Sequence, residues 1–215
     1  MGLVCRLGLN FPFKEKMASE IDNLVKTISR LKALGPKSSK RIVLQLLNNK
    51  EELIKPLTKQ LVEIYKNLRI CEICGDYFSV NSKCDCSNKK YKKIFVCEEI
   101  QDKWTVEESG IYSGGGYHVI GGALPAFESK KNGKLLISSL VKRVKYNKEI
   151  EEVILGLGNT AEGNITSHFI ADKLKGLNIK ITRLAQGISV GNAISYLDDG
   201  TLVTAFKNRS PMSDD

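Results

Sequence analysis

The chain has 215 residues, 42% of them hydrophobic and 27% charged, and a formal net charge of +9. That length holds one or two domains with a real core, and no apolar run approaches the roughly 18 residues of a helical membrane span, so an integral helical membrane protein is excluded. The charge is segregated: residues 1–93 carry 19 Lys/Arg against 9 Asp/Glu, while residues 94–215 carry 14 against 15.

Two readings of the basic half stay open, a polyanion partner such as nucleic acid and a solvated Lys-rich surface. Residues 1–16 form a basic, apolar lead without periodicity, ahead of a second methionine at Met17. Arg6, Asn10 and Pro12 interrupt the stretch from Cys5 to Phe13, so it does not read as a secretory leader, and the expected address is cytoplasmic. The lead is expected to be an accessory, poorly ordered extension. A chain starting at Met17 would have 199 residues.

Residues 19–70 read as helical. Ile21, Leu24, Val25, Ile28 and Leu31 follow helical spacing behind Ser19 as N-cap. Gly35-Pro36 breaks the run. Lys37-Ser38-Ser39 opens a second helix carrying Ile42, Val43, Leu46 and Leu47. A third covers 51–69, with Leu53, Leu57, Leu61, Ile64, Tyr65 and Leu68 on its apolar face, and Pro56 marks a kink or a later start. Residues 70–93 are rich in Cys, Lys and Asn and poor in core material.

From residue 94 the pattern becomes βα. Strands are expected at 94–97, 117–120, 153–157 and 179–184, helices at 135–144 and 165–176, and a last helix around 201–207. Such alternation implies a mainly parallel sheet with helices on its faces.

Four features bear on chemistry. In Leu31-Lys32-Ala33-Leu34-Gly35-Pro36-Lys37-Ser38 a helix ends, a tight turn follows and a basic helix begins, the outline of a helix-hairpin-helix. Its second N-terminus would present backbone N–H groups to a phosphate. Lys37 and Arg41 share one helix face, and with Lys40 and the Gly35 turn they are the expected DNA contacts. An ordinary turn with exposed lysines is the alternative.

Second, four of the six cysteines fall within sixteen residues as Cys71-x2-Cys74 and Cys84-x-Cys86. In a cytosolic chain this reads as a tetrahedral thiolate site for structural Zn2+ and not as a disulfide framework. Lys83 and Lys89-Lys90 are expected to offset its negative charge. The Cys-x-Cys spacing is short, and Cys97 is the nearby substitute ligand if one of the four does not bind. Cys97 otherwise reads as a buried strand residue.

Third, Glu98-Glu99 stand at the end of the first strand of the βα region, with Asp102 four residues beyond Glu98. Carboxylates there can hold Mg2+, but the segment after strand 153–157, Gly158-Asn159-Thr160-Ala161-Glu162-Gly163, adds Glu162 alone. Surface carboxylates without an ion are the competing reading. Fourth, the glycines at 114–116 and 121–122 read as turns, since neither group has a nucleotide-loop spacing. His118, inside an apolar strand, reads as packed.

In this order the modules resemble the bacterial recombination mediator RecR family, from Met17 nearly to the end. The resemblance rests on Leu34-Gly35-Pro36-Lys37-Ser38-x2-Arg41, on Cys71-x2-Cys74 with Cys86-Ser87-Asn88, and on Val96-x-Glu98-Glu99-x2-Asp102. It continues through Tyr117-His118-Val119-Ile120-Gly121-Gly122, Thr160-x-Glu162-Gly163 and Thr182-Arg183-Leu184-Ala185-x-Gly187-x2-Val190-Gly191. It implies a multidomain α/β protein: a helix-hairpin-helix domain over 17–69, a four-cysteine zinc finger over 70–93, a Rossmann-like Toprim domain over 94–187 and a C-terminal segment over 188–215. It also implies ring-shaped homotetramers that encircle DNA and work with RecO, and in many bacteria RecF, to load RecA on strands coated by single-strand-binding protein. Carried over by residue, Lys37 and Arg41 match the DNA-facing basic pair, Cys71, Cys74, Cys84 and Cys86 the zinc ligands, and Glu98 and Asp102 the acidic positions of the RecO contact.

The chain departs from the family in three places. Lys32-Ala33-Leu34-Gly35 stands where Pro-Gly-x-Gly is usual, the second cysteine pair is one residue short, and Gly158-Asn159-Thr160 replaces Asn-Pro-Thr. The resemblance as a whole implies a non-catalytic clamp. The alternative is a Toprim metal-dependent nuclease or topoisomerase-like enzyme, in which an Asp-x-Asp pair occupies the positions held here by Gly158 and Thr160.

Overall fold

The computed structural model describes residues 12–87, 89–125, 135–185, 187, 188 and 191–209. The expected lead over 1–16 lies outside the described residues as far as residue 11, as do Cys5 and, from the motifs quoted above, Asn88 and Val190. The chain divides into two compact units, Met1–Lys66 and Asn67–Asp215.

The first unit is helical. Helix α1 spans Pro12–Ile28, beginning before the expected Ser19. Pro12 favours that earlier start, because its fixed φ suits a first helical position where no N–H partner is needed. Helix α2 spans Pro36–Asn48, with Gly35 as an extended N-cap and proline in its first turn. The side chain of Asn49 donates to the Gln45 carbonyl at 2.9 Å, satisfying one of the carbonyls left open at the helix end. The helix expected at 51–69 is divided: Lys50–Ile54 is π-helical, and α3 covers Lys55–Asn67. Pro56 has no N–H to donate, so the winding changes where it sits.

Among the described side chains of this unit, the buried ones are Val25, Ser39 and Val43. The stripe expected to be the apolar face of α3 is open, with Leu61 56% and Tyr65 83% exposed.

The second unit opens with a feature the sequence pattern did not reveal. Strands β1 (Leu68–Ile70) and β2 (Tyr77–Ser79) pair antiparallel, Leu68 opposite Ser79 and Ile70 opposite Tyr77. Then follow β3 (Lys93–Cys97), α4 (Ile100–Ser109), β4 (Gly116–Val119), α5 (Ile137–Tyr146), β5 (Glu152–Gly156), α6 (Ala161–Leu174), β6 (Lys180–Arg183) and α7 (Asp199–Lys207). Helix α4 likewise lies where the residue pattern implies no element. Helix α6 starts four residues before the expected Ile165, because the Thr160 hydroxyl accepts the Gly163 N–H at 3.0 Å and caps it.

The four longer strands form one parallel sheet in the order β4-β3-β5-β6. Side chains alternate across it. Ile94, Val96, Val153 and Leu155 join Leu140 and Val144 of α5 and Ile170 and Leu174 of α6 in the main core. Phe95, Cys97 and Val119 pack on the other face with Ile100 and Val106 of α4. A central strand buried on both faces explains the unbroken apolar run Ile94–Cys97. The chain leaves β3 toward β4 and later returns past it to β5, so the C-terminal ends of β3 and β5 flank a topological switch point. Among the described residues no helix is long and apolar enough to cross a membrane.

Candidate functional site: a thiolate knuckle, a switch-point loop and a basic helix turn

The four clustered cysteines converge. Their sulfur atoms all lie within 4.8 Å of one another, with Cys74 Sγ 3.4 Å from Cys84 Sγ and Cys71 Sγ 3.6 Å from Cys86 Sγ. A tetrahedral zinc with Zn–S bonds of about 2.3 Å places its sulfurs ~3.8 Å apart, so this set can hold a metal ion. The short Cys-x-Cys spacing is accommodated by a 3-10 turn at Asp85–Ser87, which brings Cys86 back beside Cys84. Hydrogen bonding to Cys86 and burial push the Cys74 thiol up, and burial pushes Cys84 up to about 11. Four thiolate charges this close repel one another, and a cation among them offsets that repulsion. Cys97 lies in β3, fully buried, and takes no part in this cluster.

The knuckle is docked on the sheet. The Cys74 carbonyl accepts the Val119 N–H of edge strand β4 at 2.7 Å, and Ser139 Oγ of α5 donates to the Ile73 carbonyl at 2.7 Å. A side chain at Gly75 would place its Cβ 2.1 Å from the Val119 carbonyl oxygen, so only glycine, here at φ 76°, fits. Lys103 of α4, 8% exposed, bonds Asp76 at 3.1 Å and Glu107 at 2.8 Å, so its buried charge is compensated. The expectation that Lys89 and Lys90 offset the thiolates changes: Lys89 pairs with Asp85, and Lys90 pairs with Glu149 at 2.7 Å.

Beside the knuckle, Arg143 of α5 donates to the Tyr117 carbonyl at 2.6 Å, to the Tyr91 hydroxyl and to His118 Nδ1. His118 Nε2 lies 3.0 Å from the Leu136 carbonyl. Burial pushes the His118 pKa down to about 4, the nearby Arg143 charge adding to it. His118 is a neutral packing residue, as its place in an apolar strand implied.

At the switch point, Glu98 follows β3. Its Oε1 accepts the Gly158 N–H at 2.8 Å, and its backbone carbonyl accepts from Gly121 and Gly122. A Cβ at Gly163 would stand 2.1 Å from the Gly158 carbonyl and 3.2 Å from Glu98 Oε1. Asp102 is bound locally as well: its Oδ2 accepts the Glu99 N–H at 2.9 Å, the third residue of a capping box that starts α4. The Glu99-x-x-Asp102 spacing was the signal for this helix. Among the described residues, the cysteines are the one group of three or more His, Cys, Asp or Glu close enough to share an ion. Of Glu98, Glu99, Asp102 and Glu162, no three come close enough together to share an ion.

In the helical unit, Lys37, Lys40 and Arg41 are all exposed on the first turns of α2, behind exposed Gly35. Ser39, fully buried, anchors that turn, its N–H and hydroxyl both meeting the Gly35 carbonyl at 3.0 Å. Ala33 in the preceding turn sits at φ 65°, a left-handed conformation that glycine adopts more readily. This is the position where the family it resembles has glycine.

Comparison with known proteins agrees with this architecture. The Toprim domain family matches residues 92–185. The chain is 48% identical over 195 residues to the recombination protein RecR of Pelagibacter ubique, covering 89% of this chain and 95% of that one. It is 42% identical to that of Ehrlichia canis (90% and 100% covered) and 39% to that of Parvibaculum lavamentivorans (89% and 96%).

Proposed function

The chain belongs to the RecR family of recombination proteins, and from that premise we propose that it is a non-catalytic, cytoplasmic DNA clamp of recombinational repair. In this reading Lys37, Lys40 and Arg41, with the free backbone N–H groups behind Gly35, grip phosphates without reading bases. The observation that carries it is their joint exposure on the opening turns of α2.

Structural Zn2+ occupies Cys71, Cys74, Cys84 and Cys86 and fixes a knuckle that has little apolar material of its own. The domains follow the modules: helix-hairpin-helix over 17–69, zinc finger over 70–93, Toprim domain over 94–187 and a C-terminal segment over 188–215. Copies of the chain assemble into a ring tetramer, which the exposed apolar stripe of α3, including Leu61 and Tyr65, supports. Glu98 and Asp102 mark the RecO-binding face, and with RecO and RecF the clamp loads RecA on DNA coated by single-strand-binding protein.

Two-metal phosphoryl transfer needs several converging carboxylates. Here one carboxylate is engaged by a backbone N–H, and Gly158 and Thr160 hold the positions where Toprim enzymes carry aspartates. The test is retention on closed circular against short linear duplex, with light scattering for the oligomer. A ring is retained longer on the circle. Equal release from both, from a monomer, would overturn the clamp.

A further inference from the structure

A groove of about 1020 Å3 runs between the knuckle and the switch-point end of the sheet. Its walls are both fixed. The Cys74–Val119 and Ser139–Ile73 hydrogen bonds and the close approach at Gly75 hold the knuckle against β4 and α5. The groove is therefore formed before anything enters it, which lowers the entropy lost on binding.

Its lining has a definite chemistry. Ile73, 46% exposed on the knuckle side, faces a floor that includes Ile100 and Leu136. Among the described lining residues, three carboxylates, Glu72, Glu98 and Glu99, stand against a single cation, Lys142. In a chain of net charge +9, this is a local reversal of sign. It repels phosphates and attracts a cationic segment.

We propose that this groove docks a basic protein segment that places one apolar side chain against Ile73 and Ile100 and its Lys or Arg residues against Glu72 and Glu99. The proposal rests on the RecO reading above and deepens it: the knuckle supplies half of the binding surface. Zinc then does more than fold a small module, because it positions Glu72 and Ile73 as recognition residues. Glu98 contributes charge to the groove while its Oε1 stays committed to Gly158.

The test is calorimetric titration of the full chain with RecO from the same organism, zinc content being measured for every variant. Glu72→Lys and Ile73→Ser, on the knuckle, and Glu99→Lys, opposite, are each expected to weaken binding by about tenfold or more. Should Ile73→Ser lose zinc, Glu72→Lys and Ile100→Ser decide the matter. Zinc-loaded knuckle variants that bind RecO like wild type, while Glu99→Lys does not, would overturn the groove and leave the RecO face standing. Wild-type protein that does not bind RecO would overturn both. Knuckle variants that change duplex DNA affinity and leave RecO affinity intact would show that the groove faces DNA, contrary to the proposal.

Discussion

Glu98 Oε1 accepts the backbone N–H of Gly158 at 2.8 Å, joining the end of β3 to the loop after β5 across the switch point of the sheet. A carboxylate at a place where α/β proteins commonly bind ligands is here a fastening for the loop that leads into α6. Gly158 and Gly163 let the loop approach this close.

Glu98→Ala is therefore expected to destabilise the protein by about 1–2 kcal/mol, the value of a charge-assisted hydrogen bond at a partly exposed site. Glu98→Gln keeps an acceptor and loses less. Denaturant melts of the three proteins check this. Nicking assays with Mg2+ or Mn2+ are expected to show no activity in any of them.

Ala33 adopts φ 65° in an exposed turn. Relief of that strain outweighs the added chain entropy of glycine, so Ala33→Gly should stabilise the protein by about 0.5–1 kcal/mol. A thermal melt that rises by a few degrees with DNA affinity unchanged or higher agrees. A lower melting temperature does not.

Removing the metal with a chelator should be felt beyond the knuckle. The Val119 N–H, bonded to the Cys74 carbonyl, is expected to exchange with solvent faster, together with the Gly75 and Cys71 amides. The Lys180 and Leu184 amides, bonded to the Glu151 and Leu155 carbonyls beside β5, should keep their protection. Uniform loss of protection across the sheet would show global unfolding instead.

His118 gives a pH dependence of known sign. Burial holds its folded pKa at about 4, below the usual histidine value of 6.5, with Arg143 as the charged group against it and the Tyr91 hydroxyl beyond. The unfolded chain then binds the proton first. The contribution is complete above pH 6.5 and is lost as pH falls toward 4, about 2 kcal/mol by pH 5. His118→Gln should flatten the stability profile between pH 6.5 and 5, even if it is less stable at neutral pH.

Much of the sheet was legible from residue pattern, because Ile94–Cys97 is an apolar run buried from both faces and Val153–Leu157 is one buried at alternate positions. The cysteine cluster was legible from spacing alone. Helix α4 was not, since Lys103 and Trp104 interrupt its apolar side, and Lys103 is buried through Asp76 and Glu107, partners outside any local pattern. The β1–β2 pair was hidden because each strand has three residues and none of their side chains is fully buried, so neither shows an inward apolar face. The early start of α6 lay in the Thr160 cap. Glu98 and Asp102 were visible as a carboxylate pair, but their engagement with Gly158 and Glu99 is long-range geometry in one case and a capping box read as a metal motif in the other.

The proposed sequence-independent grip on DNA through the opening of α2 stands or falls on duplex affinity against salt concentration, with and without RecO. Wild type and Lys37→Ala/Arg41→Ala are compared on unrelated sequences. Wild-type affinity is expected to ignore sequence and fall with salt, and the double variant to fold normally, bind about tenfold or more weakly and show a shallower salt slope. Equal affinity and equal slope for the two proteins would contradict it.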